Sequence, residues 1–135
     1  MPNQERLLRA AFLTGAITDA LALVPLLIPD LARLLWGFDD PSGGYRFAMG
    51  YAASLMLGWT ALLIWAFRRP LERKVVAAIT FVVVCGLVLT EIVGLWSGYL
   101  AVWRFLPTLC LQAVLLSLFA VGFHSGKAVR SAGAQ

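Results

Sequence analysis

The chain has 135 residues, enough for one domain. Apolar residues make up 61 % and charged ones 13 %; soluble domains run at roughly half and a quarter, so lipid is the expected solvent. The net charge of +4 is spread over short segments between apolar runs. It is not gathered into the basic face that nucleic-acid binding needs, which excludes a nucleic-acid partner.

In chain order, Arg6 and Arg9 precede a first apolar run. Ala20-Leu21-Ala22 has the look of a signal-peptide cleavage site, but Asp19 stands immediately before it. The apolar core of a signal peptide is uninterrupted, so residues 10–29 read as a retained first helix. Pro29 is expected to end it. Leu31, Leu34 and Leu35 then recur at helical spacing, with Asp30 and Arg33 between them, which predicts a short interfacial helix. Asp39-Asp40-Pro41-Ser42-Gly43-Gly44 reads as a turn-rich loop. A second apolar run covers 47–67. Arg68, Arg69, Arg73 and Lys74 link it to a third, 75–96, and a very short link around Ser97 and Gly98 leads to a fourth, 105–123. Each run approaches the roughly 20 residues that cross a hydrocarbon core. Backbone groups find no water there, so each must be helical.

The basic residues set the expected orientation. Eight of them (Arg6, Arg9, Arg68, Arg69, Arg73, Lys74, Lys127 and Arg130) fall on one side, against Arg33, Arg46 and Arg104 on the other. Basic residues favour the cytoplasmic side. The expected fold class is therefore an all-α membrane protein, an antiparallel bundle of four transmembrane helices in a single domain. Both termini are cytoplasmic, with a short outer amphipathic helix between the first and second spans. A bacterial or archaeal cytoplasmic membrane is the expected location. Trp36, Tyr45, Trp96, Tyr99 and Trp103 cluster at the outer ends, where amphipathic rings favour the headgroup zone.

Two hairpins show a weak parallel repeat. Tyr45-Arg46-Phe47 opens the second helix and Trp103-Arg104-Phe105 the fourth, while the first and third each carry one acid, Asp19 and Glu91. Ionisable residues inside a membrane are costly and point to function. Asp19 lies about 15 Å below Pro29, near the bilayer centre, and Glu91 about 7 to 8 Å below Trp96. Arg104, Thr108 and Gln112 form an i, i+4, i+8 ladder on the fourth helix. Ala11, Gly15, Thr18, Asp19 and Ala22 form a small, polar face on the first. Arg46, Gly50, Ser54 and Gly58 do the same on the second, and Thr90, Glu91 and Gly94 group on the third. Small residues let helices approach, so all four faces are expected to point inward.

Two readings follow. In one, Glu91 pairs with Arg104 and Asp19 with Arg46 in structural ion pairs. In the other, Asp19, Arg46, Glu91, Arg104, Thr108 and Gln112 line an outward-facing polar pocket that binds a ligand, with Asp19 able to exchange a proton or hydrogen-bond the ligand. Lone His124, without neighbouring His or Cys ligands, does not suggest a metal site. Cys85 and Cys110 make no CxxC pair, which excludes a dithiol oxidoreductase, and are expected as small buried packing residues. Gly94-x-x-x-Gly98 and Gly122-x-x-x-Gly126 are candidate dimer faces. Trp59 and Trp65 read as lipid or packing contacts.

A first helix, an amphipathic segment ending Leu34-Leu35-Trp36-Gly37, and an Arg-led second helix with Gly50 and Leu55-Met56-Leu57-Gly58 resemble the DoxX-like group of small four-helix membrane proteins. The resemblance covers the first half of the chain. It implies a four-helix fold and, since some members are associated with quinone-linked oxidation, a quinone or isoprenoid ligand. It carries over no catalytic residue, and no resident cofactor is expected. Small multidrug transporters share four helices and an acid in the first. This chain departs from them in its outer amphipathic insert and its strong charge bias, which dual-topology dimers lack. The leading expectation is a bundle that binds a small lipophilic molecule, with no enzymatic chemistry. The alternatives are an accessory or assembly subunit of a larger membrane complex, and a proton-coupled transporter. Partners would be the bilayer and either another membrane protein or further copies of the chain.

Overall fold

The computed structural model describes residues 2–37, 42–98 and 100–124, and these form five helices. α1 spans Pro2–Leu27, α2 Pro29–Trp36, α3 Gly43–Arg68, α4 Lys74–Trp96 and α5 Val102–His124. All but α2 are long and apolar enough to cross a membrane. The expected positions of Asp39, Asp40, Pro41, Tyr99, Gly126, Lys127 and Arg130 lie outside the described residues.

The helices overrun the apolar runs at several ends, for local reasons. Residues 3–9 (Asn-Gln-Glu-Arg-Leu-Leu-Arg) are mostly straight-chain helix formers. Glu5 and Arg9 bridge one turn at 2.8 Å, and Leu8 is fully buried, so α1 begins well before residue 10. Pro29 opens α2 instead of closing α1. Ile28, the residue before it, is held extended (φ −112°, ψ 100°), as a residue preceding proline prefers. Proline then occupies the first helical turn, where its missing N–H costs nothing. α2 stops at Gly37, whose φ of 78° is left-handed and whose N–H returns to the carbonyl of Arg33. In the loop expected at 39–44, Gly43 and Gly44 already belong to α3, and Ser42 caps it by accepting from the N–H of Tyr45 at 3.2 Å.

α1 is the central element. It packs against α3 and α5, and α5 packs against α4. α1 and α5 run in opposite senses: Gln4 donates to the carbonyl of Gly122, and the Phe12 ring meets the Phe119 ring at a centroid distance of 6.0 Å. Gly15 sits where a Cβ would come within 3.1 Å of Leu63 and 3.2 Å of Phe119, so its lack of a side chain sets the close approach of three helices.

The core is confined to one end. Leu8, Ala11, Phe12, Leu63, Ala66, Val76, Ala77 and Phe119 form it, close to the Arg69–Arg73 turn. Thr60 and Thr80 are buried there without cost, each hydroxyl donating to the carbonyl four residues back. Toward the α2 end the packing loosens. No residue of α3 before Ala53 is buried, and none of α4 after Val84. Around the outside, large apolar side chains such as Leu21, Leu55, Val82, Leu89 and Val114 stand more than half exposed. Water does not tolerate such a surface, and a bilayer does. Membrane and helical-bundle character follow from these four apolar helices and this belt.

Candidate functional site

Where the bundle loosens, a cavity of about 330 Å³ opens among all five helices. α1 contributes Thr18, Asp19, Ala22 and Leu26, and α2 contributes Trp36. α3 adds Ala52 and Met56, α4 adds Val84, Leu87 and Glu91, and α5 adds Phe105, Thr108, Leu111, Gln112 and Leu115. The walls are largely apolar, with a few polar groups set among them, the usual make-up of a small-molecule site.

The polar groups are organised around one hydrogen bond. Gln112 Nε2 donates to Glu91 Oε1 at 2.7 Å, joining α5 to α4. Gln112 is only 6 % exposed. After this bond, Glu91 Oε2 and Gln112 Oε1 are buried with no hydrogen-bond partner. A buried, unmet acceptor costs about 1 to 3 kcal/mol, so two in one cavity demand an explanation. Asp19 and Thr18 reach the same space from α1, and Thr108 from α5.

Four of the six expected site residues, Asp19, Glu91, Thr108 and Gln112, thus share one cavity. Arg104 and Arg46 do not line it. Arg104 donates to the backbone carbonyl of Arg33 at 3.1 Å and stacks over Trp103 at 4.8 Å. Its guanidinium fills the space beside Gly37, where a Cβ would lie 2.6 Å from it. There it helps line a separate recess with Arg33, Trp36 and Trp103, which meets the cavity at Trp36. Arg46 is exposed beside Leu26, Pro29 and Met49. The expected ion pairs of Glu91 with Arg104 and of Asp19 with Arg46 therefore do not form. Glu5 pairs with Arg9 and Arg69 with Glu72, and none of these four residues lines the cavity.

Helix geometry explains which expected faces turn inward. An i, i+4 step advances about 40° around a helix. The two-step ladder Arg104–Thr108–Gln112 drifts about 80° in all, and its lower two members, Thr108 and Gln112, reach the cavity. The three-step ladder of α3 drifts away from the side that buries Ala53, Thr60 and Leu63, and Arg46, Gly50, Ser54 and Gly58 are all exposed. On α1, Ala11 and Gly15 are buried and Thr18, Asp19 and Ala22 partly so, as expected. On α4, Glu91 turns in and Thr90 turns out, its hydroxyl bonded to the Gly86 carbonyl.

Several smaller expectations change as well. Cys85 and Cys110 are exposed, not buried, because the apolar faces of α4 and α5 are wider than the core they can pack against. Gly94 lies under Leu100 and Gly98 sits in the turn after α4, so the two do not form one helix face. Gly122 is taken up by Leu8. Trp59 packs against the core and Trp65 is half exposed under Arg73. The acids of the weak repeat do share the cavity, whereas Phe105 is buried and Phe47 is 77 % exposed. Trp36, Phe105, Met56 and Leu111 were missed as lining residues. Only Trp36 carried a signal, as an aromatic at the outer boundary beside the amphipathic helix.

Fold and site together define a helical membrane-type protein with a mainly apolar cavity among its described residues that carries two acids, Asp19 and Glu91. No protein-family model, curated protein or solved structure gives a match to the chain.

Proposed function

We propose that this chain is an antiparallel four-span protein of a bacterial or archaeal cytoplasmic membrane that holds a small lipophilic molecule in the cavity at the α2 end, facing outward. The carrying observation is the Glu91–Gln112 pair, buried in an apolar-walled cavity with an unmet acceptor on each partner. A bound molecule supplies what the chain leaves unmet. The orientation is supported by Arg6, Arg9, Arg68, Arg69, Arg73 and Lys74, which all lie toward the end away from α2 and favour the cytoplasmic side. The resemblance to DoxX-like proteins suggests an isoprenoid body for the ligand.

The test is mass spectrometry of small molecules extracted from the purified protein. The wild type should yield a lipophilic compound in near-stoichiometric amount. Asp19→Asn should yield far less while its melting temperature in detergent stays the same. If Asp19→Asn and Glu91→Gln only lower the melting temperature and no compound is found in any sample, the acids are structural.

One observation favours a second role as an accessory subunit. The Arg46, Gly50, Ser54 and Gly58 face of α3 is exposed, and nothing in the chain lies within 4 Å of where a Cβ at Gly50 or Gly58 would be. Such small-residue faces admit another membrane helix closely. A stoichiometric protein partner after purification in mild detergent would support this role.

A further inference from the structure

We infer that the occupant of the cavity is a hydrogen-bond donor carrying positive charge, a lipophilic ammonium compound, and not an acceptor-only molecule such as a quinone. This rests on the reading of the cavity as a ligand site and narrows the chemical class it takes.

The inference follows from counting donors and acceptors. Gln112 meets Glu91 with its amide nitrogen at 2.7 Å, and in its ionised form Glu91 only accepts. That orientation aims the amide oxygen away from Glu91 and leaves it unmet, along with Glu91 Oε2. Gln112 is 6 % exposed, so water from the surface is largely kept from it. Asp19 adds a second carboxylate to the same lining. The hydroxyls of Thr18 and Thr108 can donate or accept and do not decide the matter.

Charge points the same way. None of the lining residues is Lys, Arg or His. Two acids face a low-dielectric space without a cation of the chain among them; their ionised form is costly there unless a cation binds, and a bound cation holds them ionised. The nearby arginines are committed elsewhere, Arg104 to the Arg33 carbonyl and the Trp103 ring. A quinone would set carbonyl oxygens against oxygens already lacking donors. An ammonium group brings up to three N–H donors and one positive charge, while its apolar body meets walls such as Leu26, Met56, Leu87 and Phe105.

The test uses two probes of the same cage shape, 1-adamantylammonium and 2-adamantanone. Each is titrated calorimetrically into the full chain in uncharged phosphatidylcholine nanodiscs. The ammonium should bind the wild type at least about tenfold more tightly than the ketone, the worth of a charged hydrogen bond. Asp19→Asn and the isosteric Glu91→Gln should each weaken it by about tenfold, and Ser117→Ala, an exposed position on α5, should not. Circular dichroism confirms that each variant is folded. Ketone binding equal to or tighter than ammonium binding overturns the inference, as does ammonium binding that neither acid variant changes. If the ketone binds and Gln112→Leu abolishes it, the cavity is still a ligand site and only the ligand class is wrong. If neither probe binds the wild type saturably, both the class and the site reading fall.

Discussion

Gln112 and Glu91 show how one buried contact shapes both stability and binding. Their 2.7 Å bond joins α4 to α5 in a region where α4 buries no residue after Val84. Gln112→Leu removes the only donor bonded to Glu91 among the described residues and should destabilise the protein by about 1 to 3 kcal/mol. Replacing both partners with leucine removes the unmet groups together, so the double variant should recover most of that loss. Thermal unfolding of the four proteins in one detergent measures the cycle. A double variant as unstable as the sum of the singles would show that the pair is not coupled. At this scale the sequence was legible where a polar residue stood deep in an apolar run, and Asp19, Glu91, Thr108 and Gln112 were all found in that way. Arg46 and Arg104 were misread because a long side chain at a helix end can turn inward, outward or to a nearby backbone carbonyl. Sequence spacing does not choose among these.

Among the helices, the difficulty lies in the solvent. A helix in water shows its buried side by apolar periodicity, but lipid is as apolar as a core, so α3 and α4 read as apolar all round. Their extents were legible; of the inward faces read from small and polar residues, that of α3 turns outward, and on α4 Glu91 turns in while Thr90 turns out. The contacts that set those faces are steric, such as Gly15 against Leu63 and Phe119, and Phe12 against Phe119. Phe119→Ala should cost about 3 to 5 kcal/mol, since it empties the centre of the packed core. Leu55→Ala, a side chain 62 % exposed on α3, should leave the melting temperature nearly unchanged. Equal effects in a thermal-unfolding assay would contradict this division between core and lipid-facing surface. Short α2 was legible because its signals are local: a proline opening, leucines at helical spacing, and Gly37 to stop it.

The whole molecule is tight at one end and open at the other. The packed end lies beside the basic Arg68–Lys74 stretch, and the open end carries α2, the cavity and both intramembrane acids. This polarity gives a prediction about sidedness. In a background with Cys85 and Cys110 replaced by serine, Ser97→Cys should react with a membrane-impermeant maleimide in intact cells. Glu72→Cys should react only after permeabilisation, and the reverse pattern would invert the proposed topology. The four spans could be read from composition and length alone. The cavity could not, because all five helices contribute to its lining and no single helix encodes how they pack together.

The claim that most depends on the open end is that its cavity is real space kept for a ligand. Ala52 lines that space from α3 and is only partly buried. The direct measurement is the amount of lipophilic compound retained per chain by purified Ala52→Trp beside the wild type, with unfolding temperature recorded on the same samples. The large ring should fill the cavity, leaving the protein folded at an equal or higher melting temperature and empty of compound. An Ala52→Trp protein that keeps the compound at the wild-type level, or that cannot fold because there is no room for the ring, would contradict a ligand cavity at this place.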